Sequence, residues 1–143
     1  MSNSFQIALY RDSVKKLTCG TYQGVVIKAK PILLLSVLSA IERGIVENNQ
    51  IPHSNEMIEV YKQMFSKYGG NITPFFKPYY YLQFEEFWHL KWKVKEDLSI
   101  RPGLAMLRSN IEYAYFDEAL WELLQDKSIL NEFRSVIENY YLK

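Results

Sequence analysis

Residues 74–93 read PFFKPYYYLQFEEFWHLKWK, and their pattern is the main basis for the fold predicted from the sequence. Aromatic and β-compatible residues fill positions 79–84 and 87–93. The dipeptide Glu85-Glu86 separates these two runs. Two short runs of this kind around a polar break predict a β-hairpin.

The second predicted strand alternates apolar and polar residues. Trp88, Leu90 and Trp92 fall on one face of a strand, because successive side chains point to opposite faces. The other face is predicted to be exposed and basic, and it carries His89, Lys91 and Lys93. The same alternation predicts that at least one tyrosine between Tyr79 and Tyr81 is exposed.

Helical patterns surround this hairpin on both sides. Apolar residues recur at helical spacing over 4–17, and Pro31 begins a broad apolar helix that Gly44 ends. Ser54 is placed to cap a third helix, which Gly69-Gly70 ends. Three helices follow the hairpin: one over 104–110, one capped by Asp117 and one capped by Ser128.

The order helix, helix, helix, hairpin, helices predicts an α+β fold that is mainly helical. Its middle part, helix–helix–hairpin, is the order of a winged helix-turn-helix. We therefore expect a winged-helix-like core with additional C-terminal helices. No repeat or linker interrupts the chain, so residues 1–143 are expected to form one domain.

Composition excludes several classes of protein. The chain is 48% hydrophobic and 23% charged, which is typical of a globular domain. Cys19 is the single cysteine, so neither a disulfide framework nor a cysteine-rich zinc site can form within the chain. The N-terminus has no signal-peptide pattern, and no apolar run approaches the ~20 residues that span a bilayer. We expect a cytoplasmic protein that does not enter a membrane.

Charge is unevenly distributed, although the net charge is only +1. Residues 1–95 contain 12 basic and 7 acidic residues, whereas residues 96–143 contain 5 basic and 9 acidic residues. Two explanations fit this asymmetry: the basic part binds an anionic partner, or the surface charges are scattered at random. The lysines near the aromatic stretch favour the anionic partner, because phosphate contacts need cations and aromatic rings can stack on bases.

No catalytic site can be assembled from the sequence. Glu85 and Glu86 are interpreted as a solvated turn, and Cys19 has no histidine near it in sequence to activate it. His53 and His89 are the only histidines, which leaves too few ligands for a metal site. His89 on the basic face is left with two interpretations, a phosphate contact or an ordinary surface histidine. We expect neither enzymatic activity nor a cofactor.

Three segments, in order, resemble the sulfur-binding domain that precedes the HNH nuclease domain of McrA-like, modification-dependent restriction endonucleases. They are KPILLL at 30–35 with IERG at 41–44 and NQI at 49–51, PYYYL at 78–82 with EEFWHL at 85–90, and EYAYFDEALWELLQD at 112–126. The resemblance covers about residues 25–142. It implies a domain that binds DNA and recognises phosphorothioate in the backbone.

The resemblance also implies which residues contact DNA, and this chain departs from the family at some of them. A basic loop before the Lys-Pro helix corresponds to 28–30, and Pro78 matches a proline that helps to wall an apolar pocket for sulfur. Lys77 stands where the family has tyrosine, and bulky Tyr81 stands where it has a small residue. Phosphate binding depends less on these two positions than sulfur selectivity does. No HNH metal motif is present, so the chain is expected to be either a stand-alone small protein or a fragment of a longer one.

The sequence thus predicts a non-catalytic DNA-binding module, which recognises phosphorothioate-modified duplex in a bacterial restriction or defence system and works with a separate nuclease subunit. The expected DNA-contacting residues are Lys28, Lys30, Lys77, Pro78, Tyr79, Tyr81, His89, Lys91 and Lys93. The alternative is a protein–protein interaction or regulatory module of the same fold that has lost DNA recognition. DNA binding predicts that Lys28, Lys30, Lys77 and Lys91 share one positive face, whereas partner binding predicts an exposed apolar patch.

Overall fold

The computed structural model describes residues 3–143, which form an α+β fold that is mainly helical. Within this range there are seven α-helices and two sheets of two strands each. The elements in chain order are α1 (Ser4–Val14), β1 (Thr21–Tyr22), β2 (Val25–Val26), α2 (Ala29–Glu42), α3 (Asn55–Tyr68), α4 (Phe76–Tyr81), β3 (Trp88–Trp92), α5 (Leu104–Asn110), β4 (Ile111–Phe116), α6 (Glu118–Leu124) and α7 (Lys127–Tyr141).

Helix α2 is the centre of the core, as the width of its apolar pattern predicts. Every residue from Pro31 to Leu38 is buried, and Leu33 and Val37 have no exposed surface. Pro31 is tolerated because it lies in the first turn, where backbone N–H groups have no partner within the helix. Gly44 follows the helix with φ +76°, a backbone angle that favours glycine.

Helix α3 begins where the capping pattern predicts. The Ser54 hydroxyl accepts a hydrogen bond from the Met57 backbone N–H at 3.2 Å, which satisfies one of the free donors of the first turn. The helix packs along α2 and buries Met57, Val60, Tyr61 and Phe65 on one face. This spacing of three or four residues is the pattern of an amphipathic helix.

The predicted hairpin over 79–93 is wrong. Residues 79–81 end helix α4, and Leu82–Phe84 form a 3₁₀ turn. Strand β3 instead pairs antiparallel with β4, in a register that places His89 opposite Tyr115 and Lys91 opposite Tyr113. The predicted alternation holds for Trp88 and Leu90, which are buried, and for Lys91, which is exposed, but the pairing shifts after Lys91 and Trp92 is only half-buried.

Packing explains why the tyrosine run is helical rather than extended. A helix places Phe75 and Tyr79 on one face, and their ring centroids lie 5.1 Å apart. The Trp88 indole N–H donates to the Tyr79 carbonyl oxygen at 3.0 Å, which fixes this helix against the sheet. Pro78 falls within the first turn of α4, where its missing N–H costs no hydrogen bond. These contacts override the β-propensity of the three tyrosines.

The C-terminal helices close the core against α1 and α2. Asp117 is the N-cap residue of α6, as predicted, although its carboxylate does not bond to the backbone of that helix. The N-cap of α7 is Asp126 rather than Ser128, because the Asp126 carboxylate accepts the backbone N–H groups of Ser128 and Ile129 at 2.8 and 3.2 Å. One hydrophobic cluster joins residues from Val14 to Ile137.

Candidate nucleic-acid interface

A groove of about 930 Å³ opens between the β1–β2 hairpin, the start of α2, the end of α3 and helix α4. The connection 69–74 forms one of its walls. This connection turns at Gly69 and Gly70, whose φ angles of +76° and +83° favour glycine. Three stretches far apart in the sequence therefore form one concave surface.

The groove is cationic. Lys28, Lys30 and Lys77 line it, and no aspartate or glutamate is among its lining residues. Lys28 is the N-cap residue of α2 and Lys30 lies in the first turn, so both positions follow from where that helix begins. Lys77 comes from α4, across the groove. Three of the four lysines that were expected to share a face do so, and Lys91 is not among the lining residues.

Lys30 has a counterion that the sequence did not indicate. Its ammonium donates to a Glu85 carboxylate oxygen at 2.6 Å, and the two side chains are only 14% and 10% exposed. The same carboxylate faces the Thr18 backbone N–H at 3.4 Å. Glu85 is therefore not the solvated turn residue that was predicted. Because 55 positions separate the partners, no local pattern could have revealed the pair.

Cys19 lies on the same groove and is half-buried. Burial raises the pKa of its thiol above the ordinary value; the Lys30 ammonium opposes this shift and the Glu85 carboxylate adds to it. A thiol with a raised pKa is protonated at neutral pH and is a weak nucleophile.

The expected pocket residues occupy different depths. Pro78 and Tyr81 both line the groove, Pro78 as a buried wall residue and Tyr81 as a 41% exposed side chain. Tyr79 has no exposed surface, and its hydroxyl donates to the Ile51 carbonyl oxygen at 2.7 Å. Burial raises the pKa of Tyr79 far above its ordinary value. The expectation that Tyr79 contacts DNA is wrong for this conformation, because a ring inside the core cannot reach a backbone.

The basic residues of β3 lie outside the groove. The His89 Nε2 lies 2.5 Å from an Asp117 carboxylate oxygen, and the Tyr10 hydroxyl donates to the other oxygen at 2.9 Å. Lys93 donates to the Arg108 carbonyl oxygen at 2.8 Å. His89 and Lys93 are thus held by partners within the protein. The structure does not bring them, or Lys91, together with the groove lysines.

Exposed apolar side chains line or border the groove, and none of them was expected from the sequence to be a site residue. Tyr22 and Val25 of the β1–β2 hairpin are 64% and 65% exposed, and Ile72 of the 69–74 wall is 48% exposed. Phe84, which is 60% exposed, lies beside Tyr81 with ring centroids 6.2 Å apart. The Val25-Val26 pair after Gln23-Gly24 was the available signal for a hairpin. The groove therefore combines lysine side chains with exposed apolar side chains.

Comparisons assign no relative to the chain: no family model and no curated protein matches it. Across residues 3–143, no group of three or more His, Cys, Asp or Glu side chains is arranged to hold a metal ion. None of the helices in this range is long and apolar enough to cross a membrane.

Proposed function

We propose that this protein is a non-catalytic module that binds double-stranded DNA through the groove between the β1–β2 hairpin, α2 and α4. The observation that carries the proposal is the lining of this groove, which has three lysines and no acidic residue. Duplex DNA carries one negative charge per ~1.7 Å of its axis, so cations grouped on one concave surface can meet several phosphates.

The start of α2 adds to the positive charge of the groove. The first turn of α2 contains no acidic side chain, and no side chain caps its backbone N–H groups. The helix dipole places partial positive charge at this end, and free N–H groups there favour phosphate. Lys28 and Lys30 belong to the same turn, so the side-chain charges and the backbone donors of α2 act at one place.

Recognition of phosphorothioate is part of the proposal, because the groove has apolar walls beside its lysines. Sulfur is larger and less hydrated than oxygen, so an apolar wall can favour it where a fully polar site cannot. Pro78 keeps the position that the resemblance assigns to such a wall. Tyr81 reduces the space beside Pro78, which makes sulfur selectivity weaker than in the family that this chain resembles. In a restriction or defence system, cleavage would come from a separate nuclease subunit.

We also propose that the fold binds DNA like a winged helix, but with a different wing from the one predicted from the sequence. Helices α2 and α3 would supply the helical pair, and the β3–β4 sheet would take the place of the predicted hairpin as the wing. In this arrangement the exposed Lys91 on β3 would meet the backbone on the flank of the duplex, outside the groove.

The test is a salt-dependent binding assay with matched plain and phosphorothioate duplexes. Because Glu85 already pairs with Lys30, Lys28 and Lys77 are the groove lysines left to neutralise phosphates, and log K should fall against log salt with a slope of about −1.8. Lys28→Ala combined with Lys77→Ala should make that slope shallower by about 1.8. Lys62→Ala, at an exposed position on α3 outside the groove, is the matched control and should leave it unchanged.

The outcomes separate the parts of the proposal. No binding to either duplex would refute the proposed function. Equal binding to the plain and phosphorothioate duplexes would remove only the sulfur part. A slope that the double substitution leaves unchanged would place the DNA on a different surface.

The exposed apolar residues favour a second candidate, a protein-interaction module. Tyr22, Val25 and Ile72 line the groove and are each about half exposed or more, and the exposed Phe84 lies beside Tyr81, which also lines it. Contiguous exposed apolar surface is typical of interaction sites. Binding of a protein partner through this surface should depend weakly on salt, whereas DNA binding should weaken steeply, so the same salt titration distinguishes the two candidates.

A further inference from the structure

We infer that the β1–β2 hairpin enters the major groove of the bound DNA, where Gln23 at its tip reads an adenine. This inference rests on the proposed function and extends it from binding of the backbone to recognition of a base pair. Gln23 was not among the DNA-contacting residues expected from the sequence.

The backbone at the tip does not explain why glutamine is there. The register pairs Tyr22 with Val25, so Gln23 and Gly24 form a two-residue turn, with φ angles of +52° and +79°. A turn with two positive φ angles favours Asn-Gly, Asp-Gly or Gly-Gly. Among residues 3–143, Gln23 is the one non-glycine residue with a positive φ. Uncommon backbone angles of this kind are concentrated at functional sites.

The Gln23 side chain is available to a ligand. All residues from Thr21 to Val26 are exposed, and no hydrogen bond within the described range uses the Gln23 amide. That amide can donate to N7 of adenine and accept from its N6 amino group, a bidentate pairing that the other bases do not offer in this form. Val25, which is 65% exposed, lies next to the turn and can contact the methyl group of a thymine.

The position of the hairpin fits a duplex that lies on the groove. A two-stranded ribbon can enter a major groove about 12 Å wide. Gln23, Lys28 and Lys77 line the same surface, so cations lie beside the tip where the phosphates bordering the major groove would run. Within residues 3–143 neither ammonium group makes a hydrogen bond or ion pair, so both side chains can hold the DNA backbone while the tip reads a base. This complementarity favours duplex DNA over other occupants.

The test is selection of bound duplexes from a random-sequence pool, followed by affinity measurements on selected and single-substituted sites. The wild-type protein should prefer adenine at one position by on the order of tenfold. Gln23→Gly removes the amide and suits a positive φ, so it should fold normally, abolish that preference and leave the salt slope unchanged. Gln23→Asn keeps an amide that is one methylene shorter, and it should reduce the preference.

A thermal melt of each variant establishes that it is folded. If the wild-type protein binds DNA but selects no base, or if Gln23→Gly keeps the same preference, the inference is overturned while the proposed function stands. If no duplex binds, the proposed function fails and the inference falls with it. Loss of the adenine preference together with loss of salt dependence would also overturn it, because the hairpin would then hold the backbone rather than read a base.

Discussion

Glu85→Gln tests whether the Lys30–Glu85 pair restrains the charge of the groove. The carboxylate holds Lys30 at 2.6 Å, so one of the three groove cations is neutralised in the free protein. Glutamine has almost the same shape and can still accept a hydrogen bond from Lys30, but it carries no charge. The substitution therefore removes the counterion and leaves the packing in place.

The stability cost can be bounded from the exposure of the pair. Exposed ion pairs contribute about 0.2–1 kcal/mol, whereas breaking a fully buried pair costs about 3–5 kcal/mol. With side chains 14% and 10% exposed, this pair lies between those limits. We expect Glu85→Gln to lower the free energy of unfolding by about 2 kcal/mol. For a chain of this length, Tm should fall by roughly 6 °C.

The effect on DNA binding should have the opposite sign. A unit charge about 4 Å from a phosphate interacts with it by about 1 kcal/mol in water, so removing the Glu85 charge should tighten binding about fivefold at low salt. Lys30 can then neutralise a phosphate without displacing a counterion, which should steepen the salt slope by up to about 0.9. The variant is thus expected to be less stable and to bind DNA more tightly.

Glu86→Gln is the matched control, because it makes the same change in charge at the adjacent position. Glu86 is exposed, and its one hydrogen bond is a 3.5 Å contact from the Ser13 hydroxyl. Glu86→Gln should therefore change Tm and the salt slope much less than Glu85→Gln does. The measurements are urea unfolding and fluorescence anisotropy with a labelled duplex. Equal effects of the two substitutions would refute the specific role of Glu85, and weaker binding by Glu85→Gln would show that Glu85 orients Lys30 instead of neutralising it.

Three further predictions concern stability and reactivity. The Tyr10 hydroxyl donates to Asp117, and burial together with that carboxylate raises the pKa of Tyr10 to about 12. This hydrogen bond should therefore contribute its full share to the free energy of unfolding below pH 10 and lose it as pH rises to 12. Tyr10→Phe should cost about 1 kcal/mol at pH 8 in urea unfolding, and the gap to wild type should close above pH 10. Ser54→Ala should cost about 1 kcal/mol through the lost cap, whereas Ser66→Ala on the exposed face of the same helix should cost under 0.5 kcal/mol. Cys19 should react with iodoacetamide more slowly at pH 8 than a free thiol does, and bound duplex should slow it further; equal rates with and without DNA would contradict its place in the binding groove.

Local patterns were enough to place every helix of residues 3–143 except α4, because capping and apolar periodicity depend on neighbours three or four residues away. Ser54, Gly44 and the apolar run of α2 show this directly. A different signal, the two-residue alternation of a strand, was present in β4, where Ala114 and Phe116 face the core and Tyr113 and Tyr115 do not, but it was not used to predict this strand. The error over 79–84 has a different origin, since those tyrosines have high β-propensity and are helical only because of what they pack against.

The candidate site was predictable to the extent that its residues lie next to a recognisable helix start. Lys28 and Lys30 come from the first turn of α2, and their shared position follows from the sequence. Lys77 joins them only through the packing of α4 against α2, and Glu85 reaches Lys30 from 55 positions away. The lysines of β3 were grouped with them because they were expected to flank an aromatic hairpin over 79–93. Once β3 pairs with β4, that grouping has no structural basis.

The groove joins two parts of the fold that differ in how firmly they are held. Lys28 and Lys30 extend from α2, whose apolar residues are almost all buried, so the cations near its start have a fixed backbone. The β1–β2 hairpin consists of two residues per strand, all exposed, and no core contact restrains its tip. Short exposed elements with few apolar contacts open at low free-energy cost. In the proposed complex, phosphate binding would therefore come from a preorganised surface, while base recognition would come from a hairpin that can adjust to the duplex. Substitutions in these two parts should accordingly separate affinity from sequence preference.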